Sequence, residues 1–198
     1  MSALLPSAKA MASAEIWDPG EYLWQEGDEV KPLRIQQGVV VYRRGEASIG
    51  MLGPGHVLLP LPGIKKGGKA ATAAVAITET AATPIEDVAR EVSDEELETS
   101  VRAVLDGADR LGNLSIPQRL AALLLEVSEL QGHPVIHCRQ DILAIAVGSR
   151  RETVAVVLSQ WRDYDWIQTR YRRVKVVHRE ALHQIAIGGT PPPGVVSF

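Results

Sequence analysis

The residues with the most evident chemistry are Gly148-Ser149-Arg150-Arg151-Glu152-Thr153-Val154, which follow Asp141-Ile142-Leu143-Ala144-Ile145-Ala146-Val147. An arginine can donate two hydrogen bonds to the O6/N7 edge of guanine, and a glutamate can accept from cytosine N4. Placed in the first turn of a helix, such a pair suits direct contact with base edges in the major groove of DNA. The apolar run, the glycine and the polar start that follows read as helix, tight turn and second helix. Gly148 supplies a turn position where φ can be positive. Ser149, with Glu152 three residues later, predicts a capping box that opens the second helix. The plainer alternative is that Glu152 is only half of a cap and that Arg150 and Arg151 are solvated surface charges.

Other chemistries find little support. Cys138 is the one cysteine, which excludes an internal disulfide and falls short of the roughly four thiolates that an iron–sulfur cluster needs. His133, His137 and Cys138 have a spacing that could ligate a soft metal, but they fall in a connecting segment where a strand or loop is expected, so no metal site is assigned. No Ser-His-Asp set, lysine-bearing phosphate loop or paired-carboxylate site suggests catalysis. No apolar run is long enough to span a bilayer and no secretory leader is evident, so a cytoplasmic protein with no membrane partner is expected.

The elements that must position the helix pair are legible in outline. Tyr22-Leu23-Trp24, Pro32-Leu33-Arg34-Ile35, Val39-Val40-Val41-Tyr42, Ser48-Ile49-Gly50-Met51-Leu52 and Ala74-Val75-Ala76-Ile77 read as short strands divided by glycine and proline turns. Strands at this spacing predict a small antiparallel roll or barrel. A metal-dependent barrel enzyme would need several converging His and carboxylate ligands, and this region offers His56 alone. Ser93 and Glu96 predict a capping box for a following long helix, with Asp94, Glu95 and Glu96 favoured by its dipole. Along that helix Leu97, Val101, Val104, Ala108 and Leu111 recur at alternating four- and three-residue steps, a heptad seam suited to self-association or to packing on the roll. Charge divides along the chain: residues 115–198 hold 10 Lys and Arg against 7 Asp and Glu, a net of +3, whereas residues 1–114 hold the remaining 11 against 17, a net of −6. Only the C-terminal part suits phosphate.

Gln118-Arg119-Leu120-Ala121-Ala122-Leu123-Leu124-Leu125-Glu126, the Gly148 to Val154 segment, and Trp166-Ile167-Gln168-Thr169-Arg170-Tyr171-Arg172-Arg173-Val174-Lys175-Val176 together resemble the cyclic-AMP receptor protein (Crp/Fnr) superfamily of bacterial transcription regulators. The resemblance runs from about Asp18 to Ala186. It implies an α+β chain: an N-terminal antiparallel β-roll like a cyclic-nucleotide-binding domain, a long dimerisation helix and a C-terminal winged helix-turn-helix. The expected boundaries are a disordered 1–14, a roll over 15–92, the dimerisation helix over 93–114, the DNA-binding domain over 115–187 and a disordered tail over 188–198.

By the same resemblance Arg151 and Glu152 are the base readers, with Arg150 beside them. Val156 stands where relatives often have a second arginine, so it can meet a thymine methyl but cannot read guanine. Ser149, Thr153, Arg139, Gln140 and the wing residues Arg170, Arg172, Arg173 and Lys175 are expected at phosphates. Val154, Val157, Leu158, Leu143, Val147 and Trp161 are expected in the core. Two copies joined through Leu97, Val101, Val104, Ala108 and Leu111 would set two recognition helices about 34 Å apart, on a near-palindromic operator. RNA polymerase is the further partner the resemblance implies.

Nucleotide-binding relatives carry a Gly-Glu pair for the ribose and an Arg-Ser or Arg-Thr pair for the cyclic phosphate. An ungapped alignment from Gly53-Pro54-Gly55 puts Leu59-Pro60 and Ala70-Ala71 at those places. Neither alanine can supply the bidentate donor that a phosphate monoanion requires. At the stretch of the long helix that contacts the base, Val104 to Ala108 offers no Thr or Ser pair. The expectation is therefore a homodimeric DNA-binding regulator, not an enzyme, that works without cyclic AMP or a resident cofactor. The alternative is a roll gated by another effector, an anion held near Lys65, Lys66 and Lys69.

Overall fold

The computed structural model describes residues 14–45, 47–60 and 69–190, apart from the side chains of residues 47 and 110–112. Eight strands come first among them: β1 (Glu15–Trp17), β2 (Tyr22–Trp24), β3 (Leu33–Gln37), β4 (Val40–Arg44), β5 (Ala47–Leu52), β6 (Val57–Leu58), β7 (Ala73–Ala76) and β8 (Thr80–Pro84). They form two antiparallel four-stranded sheets, ordered β1-β8-β3-β6 and β2-β7-β4-β5. The five strands read from the sequence are all present. Strands β1, β6 and β8 go beyond that reading: two are very short, and Thr80-Ala81-Ala82-Thr83-Pro84 carries little of the β-branched bulk by which strands are recognised. β8 is nonetheless central to its sheet, paired to β1 and to β3.

Strand β4 shows why the run Val39 to Tyr42 is apolar throughout rather than alternating. Successive side chains of a strand point to opposite faces. Val40 and Tyr42 enter a core inside the roll with Trp24, Leu52 and Leu58. Val39 and Val41 face outward into a second core, shared with Leu123, Leu143 and Leu158 of the C-terminal module. The roll therefore serves as a bed for the helices that follow.

A short helix, α1 (Val88–Glu91), leads to the long α2 (Asp94–Asn113). The capping box forms as expected: the Ser93 amide donates to Glu96 Oε2 at 2.9 Å, and the Glu96 amide donates to Ser93 Oγ at 3.2 Å. Helix α2 lies on β5, and the approach is close enough to require glycine on both sides. A Cβ on Gly107 would sit 2.5 Å from Gly50 Cα, and one on Gly50 would sit 2.8 Å from Val104 Cα. Val104, expected in the seam, packs half-buried against the roll core in the single chain. The exposed apolar line on α2 runs instead through Val101, Leu105 and Ala108, while Leu97 is half-buried. The Leu111 side chain, Lys65 and Lys66 lie outside the described residues, as do residues 1–13 and 191–198 of the expected disordered ends.

The C-terminal module comprises α3 (Ile116–Gln131), β9 (Val135–Ile136), α4 (Gln140–Ala146), α5 (Arg151–Asp163), the hairpin β10 (Ile167–Arg170) and β11 (Arg173–Val176), and α6 (Arg179–Ala186). β9 completes a three-stranded sheet beside β11. Arg179 joins α6 to α3 through Ser128 and Glu129. Arg119 on α3 donates to the Leu114 carbonyl at 2.8 Å and the Val147 carbonyl at 3.2 Å, fixing α3 against the turn after α4.

Candidate nucleic-acid interface

Helix α5 is amphipathic for a reason visible in its spacing. Val154, Val157, Leu158 and Trp161 recur at three, four and seven residues, and all are buried in the core shared with α3 and α4. That burial forces Arg150, Arg151, Glu152, Thr153 and Val156 to the opposite face, away from that core. Arg150, Arg151, Glu152 and Val156 are exposed there. The core residues expected from sequence, including Leu143 and Val147, are buried.

The turn between α4 and α5 departs from the expected cap. Gly148 adopts φ +62° as its place in the turn requires. The chain then takes one residue more than the sequence suggested: the Ser149 amide donates back to the Ala144 carbonyl at 2.9 Å, and Arg150 becomes the N-cap with extended backbone and no side-chain cap bond. The Ser149–Glu152 capping box is therefore not formed. Two consequences follow. Glu152 is released from a local role, and the first amides of α5, which have no partner within the helix, face outward where an anion can be received.

The wing stands beside this helix end. Val174 and Val176 are buried and hold β11 to the core, while Arg173 and Lys175 point outward. Arg170 and Arg173 are directly opposite in register, and Gln168 opposes Lys175. Like charges in a cross-strand pair repel, so this arrangement gains from an anion laid across it. Between the wing, α4 and α5 runs an open trough of about 390 Å³, walled by Gln140, Arg151, Arg170 and Arg173 among others. The structure thus brings the expected base reader Arg151 together with the wing cations Arg170, Arg172 and Arg173, while Arg150, Glu152, Val156 and Lys175 are exposed but do not line this trough. Arg139 is on the same wall, but its guanidinium is held by both carboxylate oxygens of Asp141, at 3.0 and 2.8 Å. That pairing holds the Asp141 carboxyl below its ordinary range and raises the Arg139 guanidinium.

Cys138 lies beneath this wall, its thiol donating to the Arg139 carbonyl, and burial pushes its pKa up to about 12. His133 and His137 are exposed. Among the described residues no group of three or more His, Cys, Asp or Glu side chains could hold a metal ion. No described helix is long and apolar enough to cross a membrane.

The roll interior has the opposite character. Tyr42 and Trp24 pack there with ring centroids 6.2 Å apart. The Tyr42 hydroxyl donates to the Leu59 carbonyl at 2.7 Å and accepts from the Leu59 amide at 2.6 Å, while the Trp24 indole donates to the Thr72 carbonyl at 2.8 Å. Burial raises the Tyr42 phenol well above its ordinary value, so it stays protonated. Ser100 on α2 accepts from the Val57 amide at 2.9 Å and closes β6 against the helix. Among the described residues about 60 Å³ is open where the roll, α2 and α3 meet, at Gly50, Gly107 and Leu123, and the space between roll and helix around Tyr42, Leu59, Ser100 and Val104 is about 10 Å³. That is about the size of a single water site, against the several hundred Å³ of a small-molecule pocket. Ala70 is buried in this core and Lys69 is exposed beside it. The sequence reading missed the roles of Trp24, Tyr42 and Ser100, although the inward alternation of β4 could have marked Tyr42 as a filler.

Comparison with known proteins fits this geometry. Residues 118–185 match the Crp-like helix-turn-helix domain family. The transcriptional regulator SdrP of Thermus thermophilus is 33% identical over 84 residues, covering 39% of this chain and 42% of SdrP, so the match spans less than half of that curated relative. Among solved structures, a CRP/FNR-family transcriptional regulator from Thermus thermophilus superposes with a TM-score of 0.63 at 22% identity, covering 88% of this chain and 98% of that one. FixK2 from Bradyrhizobium japonicum gives 0.64 at 19% identity, covering 87% and 96%. Residues 118–185 are thus similar to Crp-like helix-turn-helix domains, and the chain that carries them shares the fold of solved Crp/Fnr-family structures.

Proposed function

We propose that the chain is a sequence-specific DNA-binding transcription regulator that acts as a homodimer on a near-palindromic operator and does not require cyclic AMP. The observation that carries this reading is the pairing of an open cationic face with a closed roll. Arg151 lines one open trough with the wing residues Arg170, Arg172 and Arg173, and Glu152 is exposed, whereas the described residues leave about 60 Å³ where the roll, the long helix and α3 meet and about 10 Å³ around Tyr42 and Ser100. Arg151 reads guanine and Glu152 reads cytosine in each half-site, Val156 meets a thymine methyl, and Ser149, Thr153, Gln140, Arg170, Arg173 and Lys175 hold phosphates. Arg139, already paired to Asp141, contributes less than its place on the wall suggests.

Support for the dimer comes from α2, where Val101 is 39% and Leu105 64% exposed in line with Ala108. A second copy laid along this stripe would cover it and repeat the recognition helix about one turn of DNA away. A cytoplasmic regulator rather than an enzyme fits the surface described.

The test is selection of duplexes from a randomised pool by the purified, ligand-free protein, repeated with saturating cyclic AMP. The same palindrome in both pools, with two chains per duplex, is the expected result. Enrichment only with nucleotide would overturn effector independence, and enrichment of single half-sites by a monomer would overturn the dimer. No enrichment in either pool would favour another effector.

A further inference from the structure

The tip of the wing, where Arg172 is expected at a phosphate, carries a feature that base readout by α5 does not use. Arg170 and Arg173 are opposed in register, so the hairpin turns through Tyr171 and Arg172 alone. Turns of this length favour Asn and Gly, which tolerate positive φ. Arg172 nevertheless sits at φ +53°. Its guanidinium carbon lies 5.1 Å from the centroid of the Tyr171 ring, and that ring is 83% exposed. An aromatic so exposed contributes little to the core, and backbone strain of this kind collects where function uses it.

The tip is also a ridge with an open trough on each side. On one side lies the trough of about 390 Å³ shared with Gln140 and Arg151. On the other, a cleft of about 620 Å³ separates Tyr171, Arg172 and Arg173 from the roll's β1–β2 turn, which carries Asp18 and Glu21. With α5 in the major groove, a sugar-phosphate strand fills the first trough, drawn there by Arg170 and Arg173. The next feature of a duplex beyond that strand is its minor groove.

We propose that Tyr171 and Arg172 enter the minor groove immediately outside each half-site and select A·T pairs there. The inference rests on the DNA-binding reading above and deepens it. A guanine places an amino group on the minor-groove floor, whereas A·T tracts leave it open, narrow and strongly negative, which attracts an arginine. Tyr171 holds the Arg172 guanidinium in a preset position by a cation–π contact. Arg172 thus reads groove shape rather than a phosphate, and Tyr171 gains a role that sequence alone did not assign. Asp18 and Glu21, facing the outer trough, weaken the hold on the outer strand and limit the depth of entry.

The experiment uses the selected operator with its flanking pairs set to A·T, G·C or inosine·C. Inosine·C presents G·C in the major groove but lacks the minor-groove amino group. Binding is followed by fluorescence anisotropy. Expected is about fivefold weaker binding with G·C flanks and near-complete recovery with inosine·C. Tyr171→Ala should erase that difference while preserving discrimination within the half-site. Arg172→Gly, which relieves the positive φ and so keeps the turn, should do the same. Inosine·C flanks that behave as G·C, flanks that make no difference, or variants that lose affinity equally on every flank would each overturn the inference while leaving the DNA-binding reading intact. A protein that binds none of the duplexes would overturn both.

Discussion

The recognition face and the roll interior use similar residues to opposite ends. On α5 and the wing, arginines project into solvent, and two are set opposite each other with no acid between them in the pair. In the roll interior two aromatic side chains spend their polar atoms on the backbone: the Tyr42 hydroxyl is shared between both backbone groups of Leu59, and the Trp24 indole is taken by the Thr72 carbonyl. A surface that leaves its donors open is prepared for an external acceptor. A core that satisfies its donors leaves no such opportunity, since buried polar groups without partners are costly. The C-terminal module is the half whose cations stay open to an external acceptor, which is what the proposed DNA-binding reading requires.

Truncations should separate the two halves by stability and binding. Trp24→Ala empties the roll core and should cost about 3–5 kcal/mol of stability. Thermal denaturation would show it as a large fall in Tm, with operator affinity at low temperature little changed. A variant that instead gained stability on adding cyclic AMP would mean the roll opens readily to ligand. Arg151→Ala should show the reverse: unchanged Tm, a loss of about 1–3 kcal/mol on the operator, and relaxed preference at one base pair of each half-site. Equal loss on every sequence would remove Arg151 from base readout. Arg173→Ala is expected to weaken binding to all duplexes alike and lower the slope of log K against log salt by about 0.9. A loss confined to one sequence would contradict a phosphate role.

The smallest effect concerns Asp141. Arg139 bonds first, and then its charge, hold this carboxyl below its ordinary range. A carboxyl with a lowered folded pKa contributes stability above the unfolded value, and that contribution is lost as pH falls through the folded value. Both side chains are about half exposed, so the effect on stability is small. Carboxyl titration by NMR should place Asp141 below the ordinary aspartate range, and Arg139→Ala should raise it toward that range. An unshifted Asp141 would release Arg139 for phosphate binding.

Much of this contrast is legible in the sequence, and the rest is hidden for identifiable reasons. The α5 face can be read because helical spacing separates Val154, Val157, Leu158 and Trp161 from Arg151, Glu152 and Val156. The long helix and its Ser93–Glu96 cap are equally open to local reading. The Ser149–Glu152 cap fails because a capping box and a longer turn share the same residues, and the backbone bond from Ser149 to Ala144 decides between them. Val104 reads as part of a seam because a heptad does not say which neighbour fills it; the close approach of Gly50 and Gly107, which lays Val104 against the roll within one chain, is a long-range contact the heptad does not display. The proposed independence of cyclic AMP rests, in the sequence, on Ala70 and Ala71. The packing of Trp24 on Tyr42 inside the roll depends on contacts across it that no local pattern displays.

The most direct measurement is an anisotropy titration of the selected operator duplex with the full chain, with and without saturating cyclic AMP. A closed roll beneath an open recognition face predicts the same Kd in both. A Kd that tightens about tenfold or more with the nucleotide, equivalent to about 1.4 kcal/mol of coupling, would contradict it.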